Sequence, residues 1–574
     1  MPFLSVILSY SMKQELEQAV TVAVKELFGI EVAVELTRPE VQFGDYATNV
    51  ALQLSKQLGK NPRELAQVLA DTLQQNNAVS EVSVAGPGFL NLRLSDTALH
   101  TALYTEPPKP LLGHTIVTEY SDPNPFKVLH AGHFYTSVVG DAISNLLQRA
   151  GAQVHRVNFG GDVGLHVGKT MWAIIDELGG EFPEKLNTIP EAKRSEWMAK
   201  CYVRGTNAYE DNEAAKAEII AANKRVYAVH SGNDHDTAFA QIYWTCRQWS
   251  YDYFNDFYAQ IGTSFEKYYP ESQTAGIGLL TVREQLQKGV FTESNGAVVF
   301  DGEVYGLHTR VFINSEGLPT YEAKDVGLSI KKWEDYHFDS SVIITGNDIT
   351  EYMKVVLKAI EQFEPELARR TKHLTHGNVK LAGGVKMSSR KGNFLRAVDV
   401  IAAATEASLA ANEHAQDSTV LAAIKYSFLK NRIGADIIFD PKESVAITGN
   451  SGPYLQYAHA RARSILAKHQ APMANGQTDS KPQVQTVNFQ PDERLLACKI
   501  TEYAEVLHKA TTEYMPHHIC TYLYELAQEF NRFYENNRVV GDEREAVRIR
   551  LVERYAETLQ SGLELLGIHA PERM

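Results

Sequence analysis

The stretch "TIVTEYSDPNPFKVLHAGHFYTSVVGDAISNLLQRAGAQVHRVNF", residues 115–159, decides the fold. It begins with an apolar, strand-like run and ends with a second one, "VHRVNF". Between the two runs, apolar side chains recur at helical spacing until Gly151. A strand, a helix and a strand within about 45 residues are typical of a parallel βαβ unit. The stretch therefore predicts an α/β domain with a doubly wound parallel sheet.

The helix in this stretch begins with two histidines, His130 and His133, which flank Gly132. In a doubly wound sheet, ligands bind beyond the carboxyl ends of the strands, where exposed N–H groups at helix starts favour phosphate. Two imidazole donors, and a glycine that permits close approach, favour a phosphate-binding turn. An ordinary alternative is that the histidines only cap the helix or fill space, since a four-residue pattern also occurs by chance.

A second basic stretch, "LAGGVKMSSRKGNF" at residues 381–394, follows much later in the chain. Its cationic side chains, and the hydroxyls of Ser388 and Ser389, could reach a polyphosphate. A solvated charged turn is the alternative for such a run. The two patterns together on one chain favour a nucleotide site that uses both.

The flanking sequence predicts a domain on each side of the α/β domain. Residues 1–110 read as a small α+β domain, which begins with a helix over 12–35. The α/β domain extends over 111–440, with a helical insertion at about 195–260 that is rich in charged and aromatic residues. Residues 441–574 read as all-helical.

Bulk composition excludes several classes of protein. The net charge of −14 argues against a protein that coats nucleic acid non-specifically, although it permits one local basic face. The four cysteines form no C-x-x-C pair, so neither a disulfide framework nor a structural zinc site is expected. The sequence shows no convincing signal peptide and no apolar run of the roughly 20 residues that a membrane span needs. We expect a cytoplasmic protein that does not interact with membranes.

The paired motifs resemble the two signatures of class I aminoacyl-tRNA synthetases. Further stretches, spread over nearly the whole chain, identify the sequence as similar to the arginyl-tRNA synthetases. They are "FGDYATNVA", "GKNPREL", "VAGPGFLNLRL", "EYSDPNPFKVLHAGH", "VNFGGDVGLHVGK", "YEAKDVGL", "VKMSSRKGN", "GPYLQYAHARARSIL" and "LGIHAPERM". Several of these matches are long and specific.

The resemblance implies a function for each block. The catalytic domain would be Rossmann-type, the N-terminal block would contact the elbow of tRNA, and the helical block would bind the anticodon. The implied enzyme activates L-arginine with ATP, releases pyrophosphate, and transfers arginine to the 3′-terminal adenosine of tRNA(Arg). Mg²⁺ would enter with ATP, held mainly by phosphates and water, so we predict no metal site of the protein itself. We expect a monomer, although the sequence does not decide the oligomeric state.

The same resemblance assigns the catalytic and ATP-binding residues. His130, Gly132 and His133 would contact ATP, and the histidines would donate to phosphates rather than cap the helix or bind metal. From the basic stretch, Lys386, Ser388 and Ser389 would join them. The second lysine of the usual K-M-S-K motif is here Ser389. Its expected substitute is Lys127, which we prefer to Lys391 because it lies in a rigid turn.

Five residues match arginine-contacting positions of the family. Carboxylates and an aromatic face suit a guanidinium group. A sixth family contact, a glutamine, corresponds to Ile349, so this contact is in doubt; Asp348 and Glu351 are the candidate replacements. The five matching residues are Glu119, Asn124, His130, Tyr321 and Asp325.

For tRNA, the predicted contacts are Tyr457, Arg461 and Arg463, with the terminal Met574 near the anticodon loop. Aromatic rings can stack on unpaired bases, and arginines can hold phosphates or base edges. A buried Tyr457 and a solvated arginine face form the alternative.

Two rival functions are a smaller nucleotidyltransferase of the same superfamily and a non-catalytic tRNA-binding relative. The length of the chain and the intact His130, His133 and Lys386 disfavour them.

Overall fold

The computed structural model describes residues 11–382, 395–411, 416–470 and 488–574. These residues form two compact units. One contains the chain up to Pro110 together with Tyr454–Glu564 and His569–Met574. The other contains Leu111–Pro453 and Leu565–Ile568.

The N-terminal segment of the first unit is a small α+β fold. Its antiparallel sheet has the strand order β1-β3-β2. The first helix ends at Gly29, which adopts a left-handed φ of 67°, so the predicted helix over 12–35 was too long. The elements are α1 Met12–Phe28, β1 Tyr46–Thr48, α2 Val50–Leu58, α3 Pro62–Leu73, β2 Val79–Ala85, β3 Phe89–Leu94 and α4 Asp96–Tyr104.

The second unit contains the predicted parallel sheet and two smaller sheets. Its strands are β4 Thr115–Glu119, β5 Gln153–Gly160, β6 Lys267–Pro270, β7 Thr292–Ser294, β8 Ala297–Phe300, β9 Arg310–Ile313, β10 Ser340–Gly346, β11 Thr371–His376, β12 Val379–Leu381 and β13 Ile437–Phe439. The main sheet has the order β11-β10-β4-β5-β6, and every neighbouring pair is parallel. Strands β7-β8-β9 are antiparallel, and β12 pairs with β13. This architecture confirms the predicted fold class.

Helices cover the sheet and form the insertion. The helices of this unit are α5 Ala131–Arg149, α6 Leu165–Leu178, α7 Arg194–Asp211, α8 Glu213–Ser231, α9 Ala238–Ile261, α10 Glu271–Gln287, α11 Tyr321–Tyr336, α12 Thr350–Glu361, α13 Pro365–Arg370, α14 Ala397–Ala411, α15 Asp417–Leu429 and α16 Pro441–Ser444. Helix α5 packs on β4, β5 and β10. Helices α7, α8 and α9 lie between β5 and β6 in the chain and share an apolar core with α6. This core gives the insertion its own hydrophobic support.

The C-terminal helices belong to the same unit as the N-terminal segment. They are α17 Gly452–Gln470, α18 Pro491–Thr501, α19 Tyr503–Glu513, α20 His517–Asn536 and α21 Glu545–Leu565. Buried Arg494 on α18 donates to Asp45 at 2.5 Å and to Asp96 at 2.7 Å. Two sequence-distant segments are thus joined by charged hydrogen bonds, an arrangement that the sequence did not predict. In the described ranges, no helix is long and apolar enough to cross a membrane.

Candidate active site

The predicted site residues of the catalytic domain lie at the carboxyl end of the parallel sheet. Glu119 ends β4, and the β4–α5 connection leads directly to the histidines. Strand β4 lies between β5 and β10, where the chain order of the strands reverses. In open parallel sheets, this reversal opens a crevice in which ligands bind.

The β4–α5 connection is strained and held in place by neighbouring elements. Three of its non-glycine residues have left-handed φ values: Ser121 at 75°, Asp122 at 49° and Phe126 at 67°. The N–H of Phe159 donates to the Asp122 carboxylate at 2.8 Å, and the N–H of Phe126 donates to the Ser250 hydroxyl at 3.0 Å. Such conformations persist only where the surroundings enforce them, and they concentrate at functional sites.

His130 and His133 cap the start of α5. The prediction excluded capping, and that part of it was wrong. His130 is the N-cap residue, and its Nδ1 accepts the N–H of His133 at 3.3 Å. In return, His133 Nδ1 accepts the N–H of His130 at 3.2 Å. The two rings stack with centroids 3.7 Å apart. A Cβ atom at Gly132 would lie 2.8 Å from the His130 ring, which is why glycine is needed there.

The caps determine which ring nitrogen carries the proton. An Nδ1 that accepts a backbone N–H is unprotonated, so each neutral ring carries its proton on Nε2. Partial burial and the nearby Lys127 ammonium lower the pKa of His130 to about 4. Burial, His130 and Lys127 lower the pKa of His133 well below its ordinary value. Near neutral pH, both residues are therefore uncharged imidazoles whose Nε2–H is a hydrogen-bond donor.

Lys386, Ser388, Ser389 and the alternative Lys391 lie outside the described residues. The chain that resumes after them is hydrogen-bonded to the turn that carries His130 and His133, which we call the histidine turn. Leu395 accepts the N–H of Ala131 at 2.7 Å, and Ala397 donates to the carbonyl of Leu129 at 3.0 Å. Residues immediately downstream of the basic stretch thus border the start of α5.

Lys127 lies close to the histidine turn. Its ammonium is 4.7 Å from the ring centroid of Tyr202. Its charge contributes to the lowered pKa values of His130, His133 and the buried His166. A cation close to both signature histidines is well placed to meet an anion that binds there.

A group of carboxylates and lysines, which we call the acidic pocket, lies at the same end of the sheet. Two of its carboxylates have buried lysine partners: Glu119 pairs with Lys332, and Glu271 pairs with Lys324 at 2.6 Å. The remaining two, Asp122 and Asp325, pair with no lysine or arginine in the described part of the chain. When all are ionised, four carboxylates face two ammonium groups. Its members are Glu119, Asp122, Glu271, Lys324, Asp325 and Lys332.

Asp325 is the most strongly perturbed arginine-site candidate. Burial raises the pKa of Asp325 to about 7, and the nearby Glu119 and Glu271 act in the same direction. The Tyr352 hydroxyl, which donates to Asp325 Oδ2, and the Lys332 ammonium oppose that rise. A buried carboxylate among other carboxylates gains from a cationic partner, and a guanidinium group is one.

Asn124 and Tyr321 border the pocket. Asn124 Oδ1 accepts the N–H of Gly161 at 2.8 Å, and a Cβ atom at Gly161 would meet both Asn124 and Glu271. Tyr321 is the first residue of α11 and is 54% exposed. The Lys324 ammonium is 5.0 Å from its ring centroid. Both side chains keep polar groups at the pocket edge.

The two candidate replacements for the family glutamine face other groups. Exposed Glu351 pairs with Lys354 at 2.6 Å. Asp348 is exposed, and its charge acts on His130 and on His376. Tyr352, in the first turn of α12, is the residue of this region that bonds to Asp325.

The predicted tRNA contacts lie in the first unit. Tyr457 is 46% exposed, so the alternative that it is a core residue is wrong. Arg461 stacks 4.5 Å from the ring centroid of Tyr534. Arg463 pairs with Glu572 at 2.7 Å, and Met574 is 50% exposed.

Sequence reasoning missed several site residues. Lys332 contacts Glu119 across 213 residues of sequence, and Tyr352 contacts Asp325 across 27. Glu271 contacts Lys324, the neighbour of Asp325, across 53 residues. Lys324 stands directly before Asp325, and this adjacency was the only local signal. In the described ranges, no group of three or more histidines, cysteines or carboxylates could hold a metal ion.

Comparisons with known proteins identify related sequences and a related fold. Three family models match: "Arginyl tRNA synthetase N terminal domain" over 11–94, "tRNA synthetases class I (R), catalytic domain" over 101–440, and "DALR anticodon binding domain" over 455–574. The arginine–tRNA ligase of Porphyromonas gingivalis is 30% identical, over 98% of this chain and 100% of its own length. That of Parabacteroides distasonis is 28% identical over the same shares. The solved Thermus thermophilus arginyl-tRNA synthetase is 27% identical, covers 98% of this chain and 100% of its own, and has a TM-score of 0.79.

Proposed function

The chain belongs to the arginyl-tRNA synthetase family, and from that premise we propose how its residues divide the reaction. The protein is an ATP-dependent arginine–tRNA ligase that aminoacylates tRNA(Arg), as the resemblance implied. In the first step, the arginine carboxylate attacks the α-phosphorus of ATP and pyrophosphate leaves. In the second, a terminal tRNA hydroxyl attacks the adenylate and AMP leaves. Neither step needs a protein nucleophile, so positioning and charge stabilisation carry the catalysis.

The histidine turn binds the phosphates of ATP in this proposal. The observation that carries it is the mutual capping of His130 and His133, in which each Nδ1 accepts a backbone N–H and the proton stays on Nε2. Neutral donors stabilise developing negative charge without exchanging protons with it. Lys127 adds a cation beside the histidines, and Lys386, Ser388 and Ser389 contribute further donors to the phosphates, as the family resemblance implies. Mg²⁺ accompanies ATP, held mainly by phosphate oxygens and water.

The acidic pocket binds arginine. Asp325 takes the guanidinium group, and Glu119 supports it through the negative potential of the pocket. Asn124 and Tyr321 contact the substrate from the pocket edge, and His130 connects the two subsites. The excess of two carboxylates over the lysines supports this assignment, because the arginine side chain supplies one of the two missing positive charges.

The tRNA contacts lie at the two ends of the chain. Residues 1–110 contact the elbow, and residues 441–574 bind the anticodon loop, with Tyr457 stacking on a base. Arg461 and Arg463 hold phosphates, and Met574 lies nearby. The enzyme acts as a monomer in the cytoplasm, a setting that fits its four cysteines, none of which forms a disulfide.

ATP–pyrophosphate exchange tests the assignment of the two subsites. The expected result is arginine-dependent exchange in the presence of tRNA(Arg). An Asp325→Asn variant should raise the arginine KM strongly and leave the ATP KM unchanged. An unchanged arginine KM would remove Asp325 from the pocket. Absence of exchange under every condition, with tRNA still bound, would favour the non-catalytic relative.

A further inference from the structure

Tyr352 makes a hydrogen bond to the carboxylate on which the arginine subsite depends. It lies in the first turn of α12, while Asp325 lies in the second turn of α11. The Tyr352 hydroxyl donates to Oδ2 of Asp325. In the ranges that the structure describes, this hydroxyl is the one recorded hydrogen-bond donor to Asp325. The hydrogen bond therefore orients the carboxylate and leaves Oδ1 for another partner.

The groups around Asp325 make this single donor important. Glu119 from β4, Asp122 from the β4–α5 connection and Glu271 from α10 all face Asp325 and disfavour its charge. Lys332 from the same helix favours the charge, but Lys332 is already paired with Glu119. The Tyr352 hydroxyl is thus the neutral donor that supports the ionised form without neutralising it. A cationic substrate still meets a negative carboxylate.

Tyr352 is itself held from its other side. The guanidinium of Arg310 lies 5.3 Å from its ring centroid and pairs with Glu322 at 3.2 Å. Burial, together with the charge of Asp325, raises the pKa of Tyr352 well above its ordinary value. The phenol therefore remains protonated and can only donate to the carboxylate.

We propose that Tyr352 is a positioning residue for arginine: its hydroxyl fixes Asp325 in the orientation and ionised state that receive the guanidinium group. This inference rests on the proposed role of Asp325. It assigns to Tyr352 no contact with substrate and no role at the ATP phosphates.

The test compares Tyr352→Phe with the wild-type enzyme in arginine-dependent exchange over pH 5.5–9. Loss of a hydrogen bond to a charged acceptor should raise the arginine KM about tenfold, and the ATP KM should stay unchanged. The acid limb of kcat/KM for arginine should also shift upward by about half a pH unit or more, because the carboxylate loses a donor. Neither the KM values nor the pH midpoint of the acid limb depends on the fraction of the enzyme that folds.

Tyr305→Phe is the matched control, because the Tyr305 hydroxyl donates to Gln362 at 2.8 Å rather than to the pocket. It should leave both the arginine KM and the acid limb unchanged. If Asp325→Asn raises the arginine KM while Tyr352→Phe matches Tyr305→Phe in both measurements, the Tyr352 inference is overturned and the pocket assignment stands. If Asp325→Asn has no effect, the pocket assignment itself fails, and the inference about Tyr352 fails with it.

Discussion

At the scale of single residues, the two nitrogens of each ring in the histidine turn have separate roles. Nδ1 of each ring completes the hydrogen bonding of the helix start, as a serine or aspartate would. Nε2 keeps the proton and forms a donor of fixed direction. A serine at this position would cap the helix but would not provide the second donor.

Substitutions at His130 should separate capping from catalysis. His130→Ser keeps a good N-cap but removes the ring donor, whereas His130→Ala removes both. Both variants should lose about 10²–10³-fold in turnover, and only the alanine variant should also lose about 1 kcal/mol of stability. Exchange assays and thermal unfolding measure the two effects. Wild-type turnover in His130→Ser would show that the histidine is no more than a cap.

The raised pKa of Asp325 predicts proton release when arginine binds. In the free enzyme the pKa is about 7, and a bound guanidinium favours the carboxylate and lowers that value. Affinity should therefore be constant well above pH 7 and weaken as the pH falls below it, approaching tenfold per pH unit. Calorimetry at pH 7 in buffers of different ionisation enthalpy would detect the released proton. Binding without proton exchange between pH 6 and 8 would contradict the assignment.

At the scale of elements, the pairing of α10 with α11 positions the acidic pocket. A Cβ atom at Gly278 of α10 would overlap the carbonyl oxygen of Ala323. On α11, a Cβ atom at Gly327 would overlap the carbonyl oxygen of Thr274. The two backbones approach this closely because glycine stands at both contact points. Asp325 lies between these contacts along α11.

Gly278→Ala should therefore displace α11 and raise the arginine KM severalfold or more, with loss of stability by a few kcal/mol. Gly276→Ala in the same helix is the control, because a Cβ atom there would meet nothing within 4 Å. It should be neutral or stabilise by roughly 0.5–1 kcal/mol. Arginine KM values and unfolding midpoints of the two variants test the difference. Equal behaviour would mean that the helix contact does not position the pocket.

The sequence predicted elements and local motifs well, because periodicity and helix starts are local properties. The βαβ unit at 115–159 and the histidine turn were both readable in this way. The partners of the arginine site were not, since Lys332 meets Glu119 only after the sheet brings together residues that are 213 positions apart. The prediction missed that His130 both caps α5 through Nδ1 and carries a donor on Nε2, because capping and donation were treated as alternatives.

At the scale of the whole molecule, residues from both chain ends form one unit. Arg494 is buried and donates to Asp45, Asp96 and the carbonyl of Leu94. Arg38 similarly donates to Glu505 and to the hydroxyl of Tyr46. The two proposed tRNA-binding segments are thus stabilised together.

Arg494→Met should destabilise this unit by about 3–5 kcal/mol, because it leaves two carboxylates without their buried partner. The tRNA KM should rise, since both proposed binding segments depend on the contact. Lys25→Met is the control: its pair with Glu31 is exposed and should contribute little. Thermal unfolding and aminoacylation kinetics give both quantities. A variant with wild-type stability would contradict the structural role of Arg494.

The most direct test of the account is a crystal structure of the enzyme with a non-hydrolysable ATP analogue and arginine. The account predicts phosphate oxygens within about 3.2 Å of Nε2 of His130 or His133 and of the Lys386 ammonium, with the guanidinium on Asp325. A triphosphate bound elsewhere, or a Lys386 that remains remote from it, would contradict the account.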